Sequence, residues 1–175
     1  MRIKCKPTNH SWDGWYVNMF PQTDTLDLIP DGNTVKSATQ WLETICRREN
    51  WPSAVAFALT LSLDEALTNI VSYAFQTTDH ADGNHRTNDD STPRTIRLRC
   101  TLTPAQVRLE IIDNGQPYDP TQPITPPLAT SLDAAHLGGH GLRLMRHYLS
   151  GMSYVRRDQK NCMTLLADLM NRPMM

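Results

Sequence analysis

Between residues 53 and 111 the hydrophobic period changes from that of a helix to that of a strand, and this change confines the fold to grouped helices beside grouped strands. In "LSLDEALTNIVSYAF" (61–75), Leu63, Ala66, Leu67, Ile70, Val71 and Ala74 extend a helical stripe from Leu59, with Ser62, Glu65, Asn69 and Tyr73 on or beside the other face. After Pro93, Ile96, Leu98, Cys100 and Leu102 face one way and Arg97, Arg99 and Thr101 the other. Val107, Leu109 and Ile111 repeat the pattern beyond a Thr103-Pro104 turn. "MSYVRR" and "NCMTLLADL" form a second strand pair around "DQKN". The expected fold is α+β: a two-layer sandwich, its mostly antiparallel sheet covered on one face by helices.

The remaining segments fit around that frame. "TLDLIP" (25–30) reads as a strand, and "DGN" as a turn in which Asn33 or Asp31 can cap a helix over 34–49 with Val35, Ala38, Leu42 and Ile45 inward. Trp51 and Pro52 break that helix, and Ser53 is placed to cap the next, over 53–75. Residues 76–93 are a polar loop whose Asp and His residues suit solvent better than a metal. Residues 1–23 form an aromatic-rich N-terminal extension, suited to packing, to a partner or to a tail, and residues 24–170 form the domain proper.

A length of 175 residues suits one core without staples, and a formal charge of -1 gives no field for nucleic acid or an anionic membrane. Cys5, Cys46, Cys100 and Cys162 are too scattered for a zinc site or disulfide scaffold and read as buried thiols. With no secretory signal and no apolar run of about 18 residues, the expected location is the cytoplasm.

Three places carry possible chemistry. Glu65 and Asn69 stand one helical turn apart, so a carboxylate and an amide oxygen can face one ligand, the first as a base and the second as a Mg²⁺ donor. In "EIIDNGQPYDP", Asp113 ends a strand beside Gly115, placed to accept from the exocyclic amine of adenine. In "GGHGLRLMRHYL", Gly138, Gly139 and Gly141 open a helix whose backbone N–H groups suit phosphate, with Arg143 and Arg146 nearby. Each has a plainer reading when taken singly: a solvated face, an ordinary turn, a common helix start. The pattern is neither a P-loop nor a Rossmann fingerprint.

Their order is more telling. ExxxN on a helix, DxG at a strand end and GGxGL at a helix start resemble the N, G1 and G2 boxes of the GHKL ATPases, which have the Bergerat fold. "LSLDEALTNIVSYAF", "DNGQPYDP", "GGHGLRLMRHYLS" and "MSYVRRDQKNCMTL" resemble more closely the anti-sigma-factor serine/threonine kinases of the RsbW and SpoIIAB type, over residues 24–169. That resemblance implies ATP and Mg²⁺ as cofactors, Glu65 as catalytic base and Asn69 as metal ligand. It further implies Asp113 and Gly115 at adenine, Gly139, His140, Gly141 and Leu142 at the phosphates, and Thr164 supporting the adenine end. Residues 121–137 become a short, Lys-free lid, leaving neutralisation to Mg²⁺, backbone N–H groups and Arg143 or Arg146.

The implied partners are a STAS-type anti-anti-sigma protein phosphorylated on serine and a sigma factor or other regulator, with a possible homodimer. A nucleotide-gated module that sequesters a regulator without phosphotransfer is the alternative. The Arg97, Arg99 and Arg108 strand face suits either docking or solvent.

Overall fold

The computed structural model describes residues 21–75, 93–119, 121 and 145–169. Five strands form one sheet: β1 (Gln22–Leu28), β2 (Ile96–Leu102), β3 (Gln106–Asp113), β4 (Gly151–Arg157) and β5 (Lys160–Asp168). Their order across the sheet is β1-β2-β3-β5-β4, and every neighbouring pair is antiparallel. Two helices, α1 (Thr34–Arg48) and α2 (Ser53–Asn69), pack on each other, α1 also against β1 and α2 against β5. The expected sandwich is therefore present.

Alternation builds the core. Ile96, Leu98 and Cys100 of β2 lie in register with Asp113, Ile111 and Leu109 of β3, which pair onward with Asn161, Met163 and Leu165 of β5. All nine are buried, and the apolar ones join Leu42, Leu59, Leu63 and Leu67 of the helices in one cluster. Each such side chain leaves water for about 1.5–3 kcal/mol, so the interlocked rows fix the register. At the β2–β3 turn, Thr103 Oγ1 donates to the Gln106 carbonyl and accepts from its N–H. Asp158 and Gln159, at φ 50° and 60°, make the tight turn between β4 and β5.

Several details depart from the sequence reading. β1 spans Gln22–Leu28 rather than 25–30. Neither expected cap forms by side chain. Asp31 instead accepts from the Asn33 N–H and the Thr34 hydroxyl, so it shapes the turn, and Ser53 is already helical after Pro52. Ser62 is fully buried with no hydrogen-bond partner, not on the polar face, because α2 is covered on two sides, by α1 and by the sheet.

The helix from Ser53 to Ala74 has 22 residues and is, by length and composition, apolar enough to cross a membrane, contrary to expectation. Its buried stripe of Val55, Ala58, Leu59, Leu63, Ala66 and Leu67 lies inside the protein's own core. The cysteine reading holds for Cys100, whose thiol is pushed up to about 12, chiefly by burial. Cys46 and Cys162 are only partly buried.

The Arg face is ion-paired. Arg97 donates twice to Asp27, while Arg99 and Arg108 both approach Glu110. The cations are exposed but largely matched by neighbouring carboxylates.

Candidate functional site

The last turns of α2 carry Glu65 and Asn69, both half-buried at the margin between the packed stripe and exposed Asp64 and Thr68. Asn69 Nδ2 donates to Glu65 Oε1 at 3.4 Å. This bond turns the amide oxygen of Asn69 away from the carboxylate, leaving a hard oxygen donor beside it. An oxygen donor of this kind fits Mg²⁺, which binds through one or two protein oxygens plus water and phosphate. Among the described residues no group of three or more His, Cys, Asp or Glu side chains could hold a metal by itself. A divalent ion here would depend on a ligand's own oxygens.

Beyond Asn69 the helix widens into a π turn, Ile70–Ala74. Such turns release backbone groups from the regular ladder. Here the Ala74 carbonyl accepts from the Gln116 N–H at 2.8 Å, joining the end of this helix to the loop after β3. Gly115 fits against that junction only because it has no side chain. A Cβ there would lie 2.6 Å from the Ala74 oxygen and 2.7 Å from its Cβ. Since the obstacle is backbone, Gly115→Ala should cost about 1–3 kcal/mol of stability. The check is the denaturant midpoint in urea.

Asp113, 4% exposed, is the last residue of β3. Its Oδ1 accepts from the Gly115 N–H and from Asn161 Nδ2, both at 2.8 Å. Oδ2 takes no bond among the described residues. Burial raises the Asp113 carboxyl above its ordinary value, against the Asn161 and Gly115 bonds and the charge of Arg156, which lower it. The site therefore holds one fixed oxygen and one available acceptor at the end of a strand.

Asn161 had no place in the sequence reading. It is 5% exposed and pairs with Asp113 across β3 and β5. Its signal was a polar residue sharing the strand parity of Met163, Leu165 and Ala167. Thr164 has the opposite parity. It lies in register with Glu110 and Ser153 on the sheet face away from the helices, so the structure does not bring it to Asp113. The β5 residue that bonds Asp113 is Asn161.

Glu65 and the loop after Asp113 share one electrostatic neighbourhood. The Tyr118 hydroxyl is raised, first by burial and then by the Glu65 and Asp119 carboxylates. Arg146, in the helical residues 145–148, donates to the Thr121 carbonyl at 2.7 Å, and Asp119 accepts from the Thr121 N–H and hydroxyl. Arg146 thus meets the first residue of the expected lid. Gly139, His140, Gly141, Leu142, Arg143 and the rest of 121–137 lie outside the described residues.

Residues 30–166 match the family described as the histidine kinase-like ATPase domain. The chain is 48% identical over 147 residues to the serine/threonine-protein kinase BtrW of Bordetella bronchiseptica, covering 84% of this chain and 94% of that protein. Its fold is similar to the crystal structure of the RsbU and RsbW domains of a Mycobacterium tuberculosis protein, with a TM-score of 0.53 at 16% identity. That superposition covers 86% of this chain but only 33% of the mycobacterial one, so the likeness is of fold. With a sandwich of this topology and a match over most of its length, the chain belongs to the histidine kinase-like ATPase domain family and, within it, to the serine/threonine-protein kinases of the BtrW kind.

Proposed function

We propose that this kinase transfers the γ-phosphoryl group of ATP to a serine of a STAS-type antagonist protein, in a cytoplasmic partner-switching circuit that controls a sigma factor or similar regulator. The observation that carries the reading is the junction of Ala74 with Gln116, which ties the helix bearing Glu65 and Asn69 to the loop that carries Gly115 just after Asp113. One pocket can then hold adenine at Asp113 and the reacting phosphate near Glu65.

In that pocket Glu65 takes the proton of the serine hydroxyl as its oxygen bonds to the γ-phosphorus and the bond to the β-phosphate oxygen breaks, releasing ADP. Asp113 Oδ2 accepts from the adenine amine, while Gly115, closing against Ala74, shapes the pocket beside it. Asn69 would hold Mg²⁺ through its amide oxygen, and the ion supplies charge neutralisation at the phosphates. Gly139, His140, Gly141 and Leu142 would receive the phosphates on backbone N–H groups, under a lid of residues 121–137.

The test is to incubate the full chain with ATP, Mg²⁺ and a STAS-domain protein from the same genome. The expected product is one phosphate per substrate chain, mapped by mass spectrometry to a serine and absent when that serine is Ala. A bound STAS protein that stays unmodified would instead favour sequestration without transfer.

A further inference from the structure

Asn161 uses its whole hydrogen-bonding capacity on one arrangement. Its two N–H donors go to Asp113 Oδ1 at 2.8 Å and the Gln116 carbonyl at 2.9 Å. Its oxygen accepts from the Tyr154 hydroxyl at 2.8 Å and Arg156 Nη1 at 2.7 Å. An Asn side chain offers two donors and two acceptor positions, so all four are engaged. The partners also settle which way the amide faces, because exchanging its oxygen and nitrogen would set donor against donor and acceptor against acceptor.

Arg156 adds a second tie. Its Nη1 also donates to the Gly115 carbonyl at 3.1 Å, joining β4 to the loop that follows Asp113. Tyr154 and Arg156 come from β4, Asn161 from β5 and Asp113 from β3, so three adjacent strands converge on one carboxylate oxygen. The centre of this cluster, Asp113 and Asn161, is buried, and a polar pair satisfied to this degree there is held rigidly. Meanwhile Oδ2 of the same carboxylate takes no bond from the described residues.

We infer that Asn161, locked by Tyr154 and Arg156, is a positioning residue that fixes the Asp113 carboxylate through Oδ1 and thereby aims Oδ2 at the exocyclic amine of the bound base, setting the preference for adenine. The inference rests on the reading of Asp113 given under Proposed function. Asn161 touches the carboxylate rather than the nucleotide. A base with a 6-oxo group presents an acceptor where adenine presents its amine, so an oxygen oriented at that position meets an acceptor instead of a donor and favours adenine over such a base.

The test is calorimetric titration of ATP and inosine triphosphate into the full-length wild type and the Asn161→Ala, Arg156→Met and Asp113→Asn variants, with folding checked by circular dichroism. Wild type should prefer ATP. Asn161→Ala should weaken ATP binding about tenfold, the loss of one oriented charged hydrogen bond, with little change for inosine triphosphate. Arg156 is exposed, so Arg156→Met removes its bonds without opening the core and should lower the ATP preference about threefold, which keeps the inference testable if Asn161→Ala does not fold. A purely structural role would weaken both nucleotides alike. If Asp113→Asn abolishes the preference while folded Asn161→Ala and Arg156→Met retain it in full, the Asp113 reading stands and the role of Asn161 is overturned. If Asp113→Asn also retains it, both fail together.

Discussion

Replacing Glu65 with Ala should lower phosphotransfer to protein serine by about 10²- to 10⁴-fold, the usual contribution of a positioned base, while ATP affinity stays within a few fold. The expected split follows from where Glu65 sits. Its carboxylate receives one long bond, 3.4 Å from Asn69, and no described cation pairs with it, so the resting site loses little when it is removed. A group that acts mainly as the serine proton departs contributes to kcat and hardly to ground-state binding. Single-turnover transfer with radiolabelled ATP, set beside calorimetric affinity, separates the two. Unchanged transfer would remove Glu65 from the role of base, and a parallel loss of affinity would make it a binding residue.

The sequence carried the sheet more faithfully than the site, for a physical reason. Strand alternation is local, so the buried sets Ile96, Leu98, Cys100 and Val107, Leu109, Ile111 could be read directly. α2 was harder because it is apolar on more than one side, and Ser62 sits where a single-stripe reading expects a polar margin. Asn161 and Thr164 show the limit most clearly. Which residue stands beside Asp113 depends on the β3–β5 register, which joins positions 48 apart in sequence. In "NCMTLLADL" both strand faces hold apolar residues, so parity alone did not separate Thr164 from the core face. Glu65, Asn69, Asp113 and Gly115 were legible as motifs. Their meeting through Ala74 and Gln116 needed three dimensions.

Asp113→Asn should weaken ATP binding by about 10- to 100-fold, the equivalent of about 1.5–3 kcal/mol for a lost hydrogen bond to a charged acceptor, without costing stability. The substitution preserves shape and can keep the Gly115 and Asn161 bonds on Oδ1, but it places an N–H where Oδ2 would meet the adenine amine, so donor faces donor. Stability moves the other way. Burial raises the Asp113 pKa in the folded state, so its stabilising contribution is fully present below the unfolded value of about 3.9 and is lost as pH rises through the folded one. At neutral pH the buried charge is therefore a net cost that the amide does not carry, and the variant should melt no lower than wild type, with its relative advantage shrinking in acid. Nucleotide affinity follows the opposite course in wild type. Protonation of Oδ2 converts the acceptor into a donor, so ATP affinity should decline with falling pH, and sooner than for a carboxyl at its ordinary value. Because ATP also titrates, the diagnostic quantity is the wild-type to variant affinity ratio, measured from pH 8 downward by calorimetry. A ratio that narrows as Asp113 takes up its proton supports an ionised adenine acceptor, whereas a ratio near one at every pH would remove Asp113 from base recognition.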